Sequence, residues 1–374
     1  MATVTWDGSS STDFATAANW DTGSVPTSSD DVIIPDTSSI NDCVLDGDRT
    51  INSLQIQGNG SFSMNDHDLT IAGENSSGRA LDIGNSTVTF VGGTGTLIFT
   101  LGSGATLLVG TQHLTASTEL RNVQFNGAAT FVLGGAMTVN GNLTISAGTL
   151  STSSDNNYAL TVTGDVSVTG TLTGNASAIS MGSLTINSGG TYSATSGTTT
   201  ITSKASSNFA FKNEGTFTHN SGTMQIGDGS TSTGGAHLMN STYHNLIINR
   251  DQNAPDGNTP FRASTGSTTT IEGDLTVTKG RFYRNSSTST LVVAGHVLIE
   301  ANGQVGTDAA TGSNTFGSLK VVSGGKYLAT GGTTTVSKEA DTGGTDFMFH
   351  NDGTFTHNDG KFVFDDAGLS SNSA

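Results

Sequence analysis

A single cysteine, Cys43, rules out an intrachain disulfide and any zinc site built on several thiolates. Only four prolines occur in 374 residues, and no run approaches the roughly 18 apolar residues of a membrane-spanning helix. Apolar residues never recur at helical spacing for three turns, so very little helix is expected. The start, Met1-Ala2-Thr3-Val4-Thr5-Trp6, lacks the basic and apolar regions of a secretory signal and reads directly into a strand. Positive charge is scarce. Lys and Arg total 14 against 31 Asp and Glu, a net charge of −17. Residues 1–203 hold 16 acidic groups against three arginines, a net of −13, and the rest holds 15 against 11, a net of −4. This balance disfavours nucleic acid and anionic membranes as partners and suits a well-solvated surface.

Hydrophobic residues make up 33% of the chain, too few for a compact two-layer domain but enough for a thin solenoid with one inward residue at alternate strand positions. What is abundant is Gly (50 residues), Thr, Ser and Asn, arranged in short strands that end in corners. The theme apolar-x-apolar-x followed by Gly or Asn appears at Leu54-Gln55-Ile56-Gln57-Gly58, Leu69-Thr70-Ile71-Ala72-Gly73 and Met137-Thr138-Val139-Asn140-Gly141. Period-2 alternation places Leu, Ile and Val on one face and Thr and Gln on the other.

A longer repeat overlies this theme. Ser183-Leu184-Thr185-Ile186 through Gly197-Thr198-Thr199-Thr200 returns as Ser318-Leu319-Lys320-Val321 through Gly332-Thr333-Thr334-Thr335, at an offset of 135. Phe209 through Gly222 returns as Phe347 through Gly360, offset by 138, and both copies carry Gly-Thr-Phe-Thr-His-Asn-x-Gly. The division expected is an N-terminal capping module (1–50), first coils (51–111), two repeat units (112–235 and 236–368) and a short tail (369–374). With about 20 to 25 residues per coil and about 4.8 Å between stacked strands, a rod on the order of 70–90 Å is expected. Because parallel crossovers are right-handed, so is the expected solenoid.

Trp6-Asp7-Gly8, Phe14, Ala18-Asn19-Trp20, Gly23, Pro26 and Asp30-Asp31-Val32-Ile33-Ile34 resemble the opening module of β-helical bacterial surface and phage proteins. Asn245-Leu246-Ile247-Ile248-Asn249 and the two Gly-Thr-Phe-Thr-His-Asn-x-Gly boxes resemble repeats of the same broad group. The resemblance implies an all-β, right-handed parallel β-helix, elongated and capped at its N-terminus around Trp6 and Trp20. It also implies structural or adhesive work: a bacteriophage capsid decoration or head or tail fibre, with a bacterial adhesin or extracellular filament subunit as the alternative. Virion or cell surface is the corresponding location. The expected partners are further copies of the chain, other structural subunits or a glycan receptor, without nucleic acid or membrane insertion. A β-helix polysaccharide lyase or hydrolase ranks behind both readings, because no paired-carboxylate motif joined to an arginine is recognisable.

Few residues point to chemistry. His219 and His357 share one repeat position, and a residue that recurs with its coil is expected to make a recurring structural hydrogen bond. Asp30, Asp31 and Asp36 are the candidate oxygen ligands for Ca²⁺, although no calcium-loop spacing surrounds them. Arg250, Arg262, Arg281, Tyr283 and Arg284 fall in the second repeat without counterparts in the first, which makes them the candidate binding patch. No catalytic residue, cofactor or firm metal ligand is expected.

Overall fold

In the computed structural model, the described residues are 1–36, 40–83, 87–102, 106–111, 118–228, 237–239, 241–250, 261–263, 268–284, 289–306, 310–340 and 347–365, with backbone alone at 106–111, 118–119, 261–263 and 283–284. They form an all-β, parallel β-solenoid, as expected. Among the described residues the only helical turn is a short 3₁₀ segment, Ala17–Asn19.

Contacts divide the chain into two units that interleave in sequence. The first comprises Met1–Met181, Thr185–Thr195 and Glu214–Thr218; the second comprises Gly182–Leu184, Ser196–Asn213 and His219–Ala374. In the first unit, a ten-stranded parallel sheet runs from Thr3–Thr5 through Asp31–Ile34, Ser53–Ile56 and Arg79–Ile83 to Thr191–Ser193 and Thr216–Thr218. Paired residues mark one turn of chain each. The turn from Thr130 to its partner Thr149 is short and the turn from Thr3 to its partner Asp31 is longer, so loops absorb length changes while the ladder stays in register.

Alternation along each strand sends every second side chain inward. Leu54 and Ile56, Leu143 and Ile145, and Leu184 and Ile186 are all fully or almost fully buried, and full burial of each such side chain contributes about 1.5–3 kcal/mol. In-register parallel pairing also places aromatic side chains above one another. Phe99 pairs with Phe125 and the rings stack at 5.0 Å; Phe62 pairs with Phe90 at 5.7 Å; Tyr192 pairs with Phe217 at 5.9 Å.

The corners carry a second ladder. At the start of successive strands, the side-chain oxygen of an Asn or Asp accepts the backbone N–H of the next coil: Asn122 from Asn142 (3.1 Å) and Asn142 from Asp165 (2.9 Å). In the second unit Asn245 accepts from Asp274 (2.9 Å) and Asp274 from His296 (2.7 Å). The residue just before each of these positions is often glycine. A Cβ on Gly295 would lie 2.6 Å from the Gly273 carbonyl oxygen, so the coils approach more closely there than any side chain permits.

Three faces are visible in the second unit. One stacks Thr198–Ile201, Thr223–Ile226, Asn245–Asn249, 275–277, 297–299, 318–321 and Phe349–Asn351. Another stacks Thr242–Tyr243, Thr269–Ile271, 291–293, 314–316, Thr333–Val336 and Lys361–Phe364. The third includes 302–305, Lys326–Leu328 and Thr354–Thr356. Leu291–Val305 is a single strand that bends through all three.

The sequence copies Thr198–Ile201 and Thr333–Val336 therefore occupy different faces. Five ladder steps lead from 198–201 to 318–321, and Thr333–Val336 lies two faces further along the chain. One repeat thus advances the chain by five and two-thirds turns. A repeated residue keeps its local geometry and inward or outward direction but meets new neighbours.

Candidate functional site

The repeated Thr-His-Asn box has a clear local cause. Asn220 and Ser221 adopt φ of 48° and 56°, and Asn358 and Asp359 adopt 49° and 57°, two consecutive left-handed residues in each copy. Gly222 N–H donates to the His219 carbonyl (2.9 Å) and Gly360 N–H to that of His357 (3.1 Å), which closes a type I′ turn with histidine at its first position. The ring completes the turn: His219 Nδ1 accepts the Ser221 N–H (3.1 Å), and His357 Nδ1 accepts the Asp359 N–H (3.0 Å). Both copies make this structural bond.

Beyond the turn the copies diverge. Above His219, the next coil hangs on the turn through Asn245 N–H to Gly222 O (3.2 Å). The coil after that hangs on His244, through Gly273 N–H to His244 O (2.8 Å) and Glu272 N–H to Tyr243 O (2.9 Å). Tyr243 anchors the middle coil. It is fully buried, its hydroxyl donates to Met239 O at 2.7 Å, and burial pushes its pKa well up, so it stays protonated. Outside this anchor the His219 and His244 rings stack at 5.6 Å with planes 15° apart, and His219 Nε2 lies 3.2 Å from Glu272 Oε2.

One ligand atom from each of His219, His244 and Glu272 lies within 4.8 Å of the other two, the only such group of three among the described residues. His219 and His244 are half-buried and Glu272 is exposed, so the cluster opens to solvent at one corner. In the sequence, His219 stands only at a repeat position shared with His357, where a recurring structural hydrogen bond is expected. The pairing with His244 and Glu272 depends on two successive coils of unequal length, from His219 to His244 and from His244 to Glu272, which no local motif encodes.

The residues singled out from sequence are distributed otherwise. Asp30 Oδ2 accepts from Thr27 N (2.9 Å) and Thr27 Oγ1 (2.7 Å), bonds that lower its pKa. Asp31 Oδ1 is held by Asn52 Nδ2 and Ser53 Oγ, both at 2.6 Å, and Asp36 Oδ1 by Asn59 N at 2.8 Å. Asp30 thus serves its own loop while Asp31 and Asp36 hold the next coil, and the three form no ligand cluster. Arg250 is 3% exposed, and burial lowers its pKa against the opposing pull of Asp228. Arg281 is half-buried, while the side chains of Arg262, Tyr283 and Arg284 lie outside the described residues.

Trp6 and Trp20 are buried to 1% and 2% exposure with ring centroids 4.9 Å apart, and Phe14 meets Trp20 edge-on at 4.8 Å. Their indole N–H groups donate to Asn41 O and Phe14 O, both at 2.8 Å. A depression of about 10 Å³ beside Trp6, lined by Ile34, Pro35, Asn41 and Ser61, is far smaller than the roughly 300–1,000 Å³ of ordinary ligand pockets. The single cysteine, Cys43, is buried, and burial pushes its thiol pKa well up, which disfavours the reactive thiolate.

A Ser-His-Asp grouping at the corner of the second unit resembles a nucleophilic triad only in composition. His296 Nδ1 meets Ser318 Oγ at 2.8 Å, but Asp274 accepts from the backbone N–H of His296, and Ser318 is 3% exposed. A triad needs the carboxylate on the ring and a reachable hydroxyl. These three are rungs of the corner ladder. Compared with protein-family models, curated proteins and solved structures, the chain matches none.

Proposed function

We propose that the chain is a non-catalytic structural protein of a virus particle, a bacteriophage capsid decoration or a head or tail fibre. The observation that carries this reading is the way side chains are used. Recurring residues go into inward apolar stacks, corner rungs and type I′ turns, all of which serve coil-on-coil cohesion. The resemblance of the Trp6–Ile34 region and of the Gly-Thr-Phe-Thr-His-Asn-x-Gly boxes to β-helical phage and bacterial surface proteins adds the setting. Assembly with further copies or other structural subunits is part of the proposal. It is supported by the last coil, where Phe364 is 57% exposed on a strand paired on one side only among the described residues.

Protein identification on purified virions tests the reading. The chain is expected among the virion components, and its absence from them overturns it. A bacterial adhesin or extracellular filament subunit is the alternative, supported by the same resemblance, and detection of the chain on uninfected cell surfaces would favour it.

A further inference from the structure

We infer that His219, His244 and Glu272 form a binding site for a borderline transition-metal dication, with Zn²⁺ as its natural probe. The inference stands apart from the virion reading, since a structural or an adhesive protein equally could carry such a site. Two imidazoles and one carboxylate are the donor set of open zinc sites, which hold three protein ligands and leave a fourth position to solvent. Calcium and magnesium, which take oxygen ligands, do not match it.

The geometry agrees with that chemistry. Two ligands each about 2.0–2.1 Å from a tetrahedral Zn²⁺ stand roughly 3.3–3.4 Å apart, and His219 Nε2 and Glu272 Oε2 are 3.2 Å apart. The stacked His244 ring brings its own nitrogen within 4.8 Å of both. All three residues project from successive coils whose backbones are bonded to one another through Asn245, Glu272 and Gly273, so the ligands are mounted on a ladder rather than on a loose loop.

Loading the site has a definite proton consequence. With Nδ1 accepting the Ser221 N–H, neutral His219 carries its proton on Nε2, where it donates to Glu272. A metal at Nε2 needs the electron pair of the Nε2–H bond, so that proton leaves Nε2 and Nδ1, giving up its bond to Ser221, takes one up. The Ser221 N–H then turns to solvent, which its exposed position allows. No net proton leaves His219 in this exchange. The lost hydrogen bond weakens the site relative to a zinc site whose histidines are already in the metal-binding tautomer.

His357 supplies an internal control. It has the same turn and the same Nδ1 bond, but it belongs to the last described coil and is absent from the three-ligand cluster. The test is calorimetric titration of the tag-free full chain, stripped with a chelator, with Zn²⁺ alone, and with Co²⁺ to read the ligand-field spectrum. One saturable equivalent per chain is expected. Glu272→Gln and His244→Ala should each weaken binding at least tenfold, and His357→Ala should leave it unchanged. Glu272 is exposed and Gln is isosteric, so that variant keeps its fold, and circular dichroism checks the His244 variant. The inference is overturned if the wild-type chain takes up no saturable Zn²⁺, or if Glu272→Gln binds it as tightly as wild type.

Discussion

The first and last described coils solve the same problem differently. A coil's inward residues are buried from one side by its own turn and from the other by its neighbour, so a terminal coil lacks half its cover. At the N-terminal end Trp6, Phe14 and Trp20 are at most 2% exposed and satisfy their indole N–H groups on backbone carbonyls. At the other end Phe349, Phe355 and Phe362 are half-buried and Phe364 is 57% exposed. One coil earlier, Tyr327, which stacks on Phe355 at 5.9 Å, is fully buried. At the C-terminal end of the described residues, the burial of Tyr327 against the exposure of the Phe362 and Phe364 coil follows from whether another described coil lies above.

Substitutions can separate the two ends. Trp20→Ala empties the middle of a ring cluster that is at most 2% exposed and should cost about 3–5 kcal/mol in denaturant unfolding, the largest effect foreseen. Between the ends, Gly295→Ala places a Cβ against the Gly273 carbonyl. The overpacking penalty of about 1–3 kcal/mol exceeds the roughly 0.4–1 kcal/mol gained by restricting the unfolded chain, so a lower melting temperature is expected. Gly47→Ala meets nothing within 4 Å and should stabilise instead, by that smaller amount. A destabilised Gly47 variant would contradict the close-approach argument.

In the last coil, Phe362→Ala should cost on the order of 1 kcal/mol, because only part of the ring leaves contact. Phe364→Ser should change stability by less than about 0.5 kcal/mol while reducing self-association in sedimentation experiments. Equal costs for Trp20→Ala and Phe362→Ala would show that the last coil is as well covered as the first.

The smallest effect concerns pH. Burial lowers the pKa of His296 below its ordinary 6.5, with Asp274 opposing and Lys320 assisting. In the unfolded chain this histidine takes up its proton first on acidification. Its contribution to stability is therefore complete above about pH 6.5 and is lost as pH falls below that value toward the folded pKa. Melting temperatures from pH 8 to 5.5 should fall less steeply in His296→Asn than in the parent chain.

Much of the fold was legible because its determinants are local. Alternation in Leu143-Thr144-Ile145 or Leu184-Thr185-Ile186 fixes which side chains turn inward, and the Gly and Asn that follow such runs mark the corners. The parallel solenoid follows from those elements plus too little apolar material for a thicker core. The candidate site was not legible. His219 looked like one half of a repeated pair, yet its neighbours come from the next two coils, at separations set by loops without any recognisable spacing. Arg250, a member of the candidate binding patch, is buried, and charge in a sequence does not state its depth.

Local sequence therefore specifies the parallel β-coil, its inward faces, its glycine and asparagine corners and the turn that holds His219 and His357, since each depends on residues within a few positions of one another. Tertiary packing settled the rest. Because one repeat makes five and two-thirds turns, identical segments come to rest on different faces, and His219 meets a second histidine and a glutamate from the two coils that follow it, whereas His357 lies on the last described coil. Stacking register, a sum over every intervening loop, is the quantity that no local pattern contains.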